Sequence, residues 1–157
     1  MTAAPYERTY TVIWGDVDAN RHMRNTAYAE YCTHTRFAYL TSRGVTLERL
    51  SELGVGPVVF RESTEYRREL HLDDTLLVTI RLAGAAPDGS RWQIRHELYR
   101  LEPDGTRTHA AVHALEGAWF DLRSRKLTLP PAELAAALGD LPHTEDFQAM
   151  PARRGKR

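Results

Sequence analysis

The sequence predicts an α+β fold, a curved antiparallel sheet wrapped around one long helix. Three observations carry this. Residues 25–42 are the one stretch with helical periodicity sustained over several turns. Four runs rich in β-branched and aromatic residues follow it, joined mostly by short turn signals. One more such run precedes it, so the order is strand, helix, then meander, a pattern of segregated elements rather than alternating βαβ units.

The first strand covers residues 6–14, with Tyr6, Arg8, Tyr10, Val12 and Trp14 on one face. Residues 15–24 are polar and turn-forming and read as a loop. Asn25 suits the N-cap of the long helix, since its side-chain oxygen can accept from a first-turn N–H. In that helix Tyr28, Tyr31, Cys32, Thr35, Ala38 and Tyr39 share one face, with Glu30, Thr33 and His34 opposite. Phe37 stands among the polar positions and does not fit a solvated face. Gly44 supplies the stop, and residues 47–53 make a further helical turn closed by Gly54 and Gly56.

In the second strand Val58, Phe60, Glu62, Thr64 and Tyr66 alternate with Val59, Arg61, Ser63, Glu65 and Arg67. That phase places the Glu62 carboxylate on the apolar face. A turn at 71–74 leads to a strand at 75–85, and Pro87-Asp88-Gly89-Ser90 turns it into a strand at 91–101. Glu102-Pro103-Asp104-Gly105 opens the last long strand at 107–122, where Gly117 reads as a bulge. Pro130-Pro131 starts a short helix through Leu138. The chain from Pro142 reads as a turn-rich tail ending in Arg153, Arg154, Lys156 and Arg157. Such a meander leaves sheet edges exposed, and pairing with a second copy would hide them.

At 157 residues the chain reads as one domain, with its core at about 6–138 and a C-terminal tail at 139–157. Lys plus Arg and Asp plus Glu are 21 each, so no net field invites nucleic acid. No apolar stretch approaches the ~20 residues of a membrane span. The single cysteine, Cys32, excludes an internal disulfide, and no charged region followed by an apolar run opens the chain; both point to the cytoplasm.

The chemistry concentrates in Asp18-Ala19-Asn20-Arg21-His22-Met23-Arg24-Asn25, which runs into Thr26-Ala27-Tyr28. An acid, an amide and an imidazole occupy alternate positions just before a helix start. Such a segment can hold a base or nucleophile beside the free N–H groups of a helix N-terminus, whose partial positive charge suits an oxygen becoming negative.

With Trp14-Gly15-Asp16-Val17-Asp18 ahead of it, this segment resembles the Gly-Asp-x-Asp opening of the hotdog-fold thioesterases, the superfamily of 4-hydroxybenzoyl-CoA thioesterase and its acyl-CoA thioester hydrolase relatives. The continuation is similar to the Asp-x-Asn-x-His-Val-Asn-Asn-x-x-Tyr run of plant acyl-carrier-protein thioesterases, with Arg24 replacing the first paired asparagine. Glu65-Tyr66-Arg67-Arg68 with Asp73-Asp74, and Phe120-Asp121-Leu122-Arg123-Ser124-Arg125-Lys126 with Leu129-Pro130, extend the likeness over about residues 6–138.

The resemblance implies hydrolysis of an acyl-CoA or acyl-carrier-protein thioester without metal or cofactor, in a homodimer or dimer of dimers whose site lies between subunits. Asp18 would be the general base or the nucleophile, two routes the sequence leaves open. His22 would position carbonyl or water, or hold Asp18; Asn20 would orient Asp18 or make an Asx-turn. Asn25 would act through its backbone N–H as the oxyanion donor, with its side chain as N-cap. Tyr28, with Tyr31, Phe37, Phe60 and Trp119, would line the acyl tunnel, and Glu62 or Thr64 would reach a partner's Asp18 region or stand on the rim.

Other chemistries fit less well. His109 and His113, four apart in a strand, share a face but have no third ligand nearby, so a metal site is not expected. Cys32 reads as core rather than nucleophile, and no Gly-x-Ser-x-Gly elbow or phosphate loop occurs. Arg61, Arg67, Arg68, Arg81, Arg91 and Arg95 are cations for a CoA phosphate or solvated strand faces. A hotdog enoyl-thioester hydratase would place Pro where Arg21 stands and its His one residue later than His22. A non-catalytic acyl-CoA binder on the same fold is the remaining alternative.

Overall fold

The computed structural model describes residues 4–152, so the basic end at Arg153, Arg154, Lys156 and Arg157 lies outside the described residues. The elements are β1 (Tyr6–Thr11), α1 (Asn25–Ser42), α2 (Leu47–Leu53), β2 (Val55–Tyr66), β3 (Thr75–Ala85), β4 (Arg91–Leu101), β5 (Arg107–Asp121), β6 (Lys126–Thr128), α3 (Ala132–Gly139) and β7 (His143–Ala149). The strands form one sheet in the order β1-β3-β4-β5-β2, with β6 added to β5 and β7 to β3. This curved sheet around one long helix is the hotdog arrangement that the resemblance implies.

α1 buries the face that its spacing predicts. Tyr28, Tyr31, Cys32, Thr35 and Tyr39 are buried, joined by Ala27. Toward the sheet they divide into two apolar clusters. Val12, Met23, Ala27, Tyr28, Cys32, Leu76 and Leu98 pack beneath the first half of α1. Tyr39, Ile80, Trp92, Leu115, Trp119 and Leu138 pack beneath its second half, with Phe37 against them. That contact answers the misfit of Phe37 on a solvated face. Burial of large side chains stabilises each by roughly 1.5–3 kcal/mol, so this packing rather than helix propensity holds α1. Among the described residues no helix is long and apolar enough to cross a membrane.

Several expectations are corrected. The first strand ends at Thr11, because Val12 already donates to the Asp74 carbonyl and Trp14–Asp16 turn as a 3-10 helix, leaving Trp14 exposed. Residues beyond Pro142 are not all turn: β7 runs parallel to β3, tucking Thr144 inward and Phe147 against the core. Gly117 is not the bulged residue. β2 carries the extra residue, Phe60, between Val59 opposite Gly117 and Arg61 opposite Glu116. Gly117 is instead required by space, since a Cβ there would lie 2.3 Å from the Val58 carbonyl oxygen and 2.4 Å from the Trp92 ring.

The β2 bulge inverts the predicted phase. Glu62, Thr64 and Tyr66 pair with Leu115, His113 and Ala111 and so face α1, but Val59, rather than Val58 or Phe60, shares that face with them. A second bulge, at Ala110 between the Leu98–Ala111 and Tyr99–His109 pairs, separates the two histidines expected on one face. His113 points into the core, and His109 stacks on Tyr99 on the other side.

Candidate functional site

The loop between β1 and α1 folds back as a tight hairpin. Val17 pairs with Met23, the Asp18 N–H donates to the His22 carbonyl at 3.1 Å, and the Arg21 N–H donates to the Asp18 carbonyl at 3.0 Å. Arg21 takes the left-handed conformation at φ 66° to close it. The turn is anchored from outside: the Met23 N–H donates to the Leu70 carbonyl and the Arg24 N–H to the Asp16 carbonyl. Asp16 is structural, as its buried carboxylate accepts from the Tyr31 hydroxyl and lies 3.5 Å from the Arg24 guanidinium.

These anchors hold residue 24 extended, so α1 begins one residue earlier than an Asn25 cap would place it. Arg24 occupies the N-cap position and offers no side-chain acceptor; Asn25 is the first helical residue. Arg24 also reaches the Thr26 hydroxyl and, at 3.2 Å, the Glu30 carboxylate, clamping the first turn from the side away from the catalytic candidates. The Ala27 N–H is used by the Arg24 carbonyl, whereas those of Asn25 and Thr26 precede the first intrahelical hydrogen bond. The uncapped start leaves the positive end of the helix dipole open.

An open groove brings together Asp18, Asn20, His22, Asn25 and Tyr28, with Tyr66, Arg67, Arg68 and Glu69 as its far wall. The Asp18 carboxylate is about one-third exposed and accepts from the Asn20 N–H at 2.8 Å. The Asx-turn therefore centres on Asp18, and Asn20 contributes its backbone to it. His22 Nδ1 lies 4.0 Å from Asp18 Oδ1, and its Nε2 lies 3.9 Å from Glu69. Tyr28 is buried edge-on to Tyr66 at 4.9 Å between ring centres. Burial, with Tyr66 and Glu69 beside it, pushes the Tyr28 phenol up to about 12, so it is a neutral donor at ordinary pH. The Tyr66 hydroxyl donates to the Asn25 carbonyl at 3.0 Å, fixing the first peptide of α1.

Tyr66 and Glu69 are groove residues to which the sequence assigned no role; the signal was the Glu65-Tyr66-Arg67-Arg68 run at the end of the second strand. Arg67 and Arg68 belong to the wall, Arg67 paired there with Glu65 at 3.1 Å; Arg61 and Arg91 are paired with Glu116, and Arg95 with Asp146, outside the groove. Glu62 and Thr64 lie outside the groove. The Thr64 hydroxyl is 2.8 Å from His113 Nδ1, and the Glu62 carboxylate is 3.5 Å from its Nε2. Cys32 is buried, and burial pushes its thiol far above the reactive range. Among the described residues no cluster of three or more metal-ligating side chains occurs.

An acid held at a turn, an imidazole beside it and an uncapped helix start on one groove can activate water or attack an acyl carbon while an oxygen gains charge at the N–H groups. Residues 12–138 match the family model described as thioesterase-like superfamily. No curated protein matches the sequence. Solved structures share the fold. Slr0204 of Synechocystis, a 1,4-dihydroxy-2-naphthoyl-CoA thioesterase, is 18% identical, with a TM-score of 0.76 over 88% of this chain and 98% of that one. SAV2348 of Staphylococcus aureus, solved in complex with CoA, is 20% identical, with a TM-score of 0.78 over 99% of this chain and 92% of that one.

Proposed function

The chain belongs to the thioesterase-like superfamily and is a thioester hydrolase; on that premise we propose that its substrate is an acyl-CoA, or the same acyl group on a carrier protein, and that Asp18 carries the reaction. The observation that supports this most directly is the shared groove of Asp18, His22 and the α1 N-terminus. The thioester carbonyl lies over the first turn of α1, its oxygen toward the Asn25 and Thr26 N–H groups. Asp18 deprotonates a water that attacks the carbonyl carbon, or attacks that carbon itself to give a mixed anhydride that water then hydrolyses. The negative charge that develops is met by the helix end, and the thiolate departs with little help because a thiol is already acidic. His22 orients Asp18 and the attacking oxygen.

The Asx-turn at Asp18 serves this role, since a backbone N–H holds the carboxylate without neutralising it. Arg67 and Arg68 at the wall suit the phosphates of CoA. We further propose that two copies pair through β2, the strand that ends the sheet opposite β1 and exposes Val59, Phe60 and Tyr66. The site then lies at the subunit boundary, because Tyr66 at the end of that strand is also a groove wall.

The test is purified protein against a panel of acyl-CoAs with a thiol-detecting reagent, beside Asp18→Asn. Release of CoA from at least one member that depends on Asp18 supports the reading; no release from any member counts against it.

A further inference from the structure

Below the second half of α1 lies a hollow distinct from the groove. A cavity of about 240 Å³ sits between α1, β2 and the sheet, walled largely by Phe37, Val59, Trp92, Trp119 and Leu138. Its lining is apolar and aromatic except for Thr33 and Tyr39, and Arg36 is the one charged residue in it. The guanidinium is held in place. It donates to the Thr33 hydroxyl at 2.9 Å and to His96 Nε2 at 3.2 Å. The second bond fixes the histidine tautomer. His96 Nδ1 is 2.8 Å from the Thr79 carbonyl, which only accepts, so Nδ1 carries the proton and Nε2 presents its lone pair to Arg36.

Arg36 has no ion-pair partner among the described residues. The acid whose field reaches it, Glu62, sits at His113 instead. A partly buried cation held between a hydroxyl and a neutral imidazole is left under-compensated, a state that costs free energy until an anion arrives. The cavity and the groove share no lining residue but lie along one inner face of β2: Pro57 and Val59 line the cavity, Glu62 and Thr64 follow, and Tyr66 lines the groove. Along α1, Arg36 lies eleven residues past Asn25, about 16 Å at the helical rise.

We propose that this cavity receives the far end of the acyl group and that Arg36 selects acyl chains ending in a carboxylate, so that the preferred substrates are mono-thioesters of dicarboxylic acids. This rests on the acyl-thioesterase reading and names the substrate class of that site. The aromatic wall takes the methylenes or ring of the chain, and the unspent guanidinium donors take the terminal oxygens in charge-assisted hydrogen bonds. Such a contact is lost by an otherwise identical chain that ends in methyl.

The experiment compares two length series of acyl-CoAs, one ending in methyl and one in carboxylate, on wild type, Arg36→Met and Thr33→Val. Wild type is expected to favour the carboxylate series by about tenfold or more in kcat/KM at the length that spans groove and cavity, chiefly through KM. Arg36→Met brings that ratio close to unity, and Thr33→Val, which removes one anchor at an exposed position, gives an intermediate ratio. Calorimetry with uncharged N-methylamides of the same acyl chains, ending in methyl or in carboxylate, repeats the comparison without turnover, so the cavity assignment survives or falls apart from the hydrolysis reading. No carboxylate preference at any length by either method, or equal losses for both series in Arg36→Met, overturns it. Equal losses accompanied by a change of oligomeric state assign Arg36 to subunit pairing instead.

Discussion

Asp18 owes its position to main chain. The Asn20 N–H on its carboxylate and the Asp18–His22 backbone bond place the acid and the imidazole on the same side of the hairpin. Alternate spacing singled out that pair in the sequence, but the two residues are four apart and meet because they pair across the tight turn. The start of α1 was not legible to the residue. Asn25 fits a cap by type, but what sets the boundary is the pinning of Met23 and Arg24 by Leu70 and Asp16, contacts between distant segments that no local pattern contains. Tyr66 is the positioning residue for the proposed oxyanion donor, because its hydroxyl restrains the first peptide of the helix. Tyr66→Phe removes one hydrogen bond worth about 1 kcal/mol. The expected result is a kcat about fivefold lower with KM little changed. A change confined to KM would place Tyr66 in binding rather than positioning.

At the scale of elements, β3, β4 and α2 begin and end where turn chemistry and periodicity place them, and α1 ends there too. β2 and β7 were harder to read, for different reasons. Val58-Val59-Phe60 is apolar throughout, so alternation cannot say which residue is the extra one, and the bulge shows only in the pairing with β5. β7 has one inward position, Thr144, and one partly buried aromatic, Phe147, too few apolar sites to give a strand signal. As one of the two end strands of the sheet, β2 also carries the proposed dimer. Sedimentation equilibrium of the purified chain is expected to give a dimer or a larger even assembly. A monomer of 17.9 kDa across the working concentration range would contradict pairing through β2.

For the molecule as a whole, the main liability between α1 and the sheet is polar. His96 and His113 are fully buried, with ring centres 6.1 Å apart. Burial and the nearby Arg36 hold the His96 pKa well below its ordinary value, against the Thr79 carbonyl that favours the proton. Burial lowers that of His113, with Glu62 opposing and Arg36 assisting. The folded state therefore binds fewer protons than the unfolded chain once pH drops below the ordinary histidine value of about 6.5. Stability is expected to fall with pH from there toward the depressed folded values. Urea midpoints across that range should show the decline, and His96→Gln should flatten it. An equal slope in the variant would place the acid sensitivity elsewhere.

The two histidines, the under-compensated Arg36 and the apolar cavity were all present in the sequence, but only the fold brings them beneath one helix. The Asp18 loop needed less help, because its residues are neighbours in the chain as well as in space. The account turns on that acid. The deciding measurement is the steady-state rate of Asp18→Asn against wild type, on the best acyl-CoA of the panel, at matched thermal stability. Loss of an acid that activates water or attacks carbon predicts a kcat lower by about 10²–10⁴-fold. A variant that keeps wild-type turnover would contradict the account.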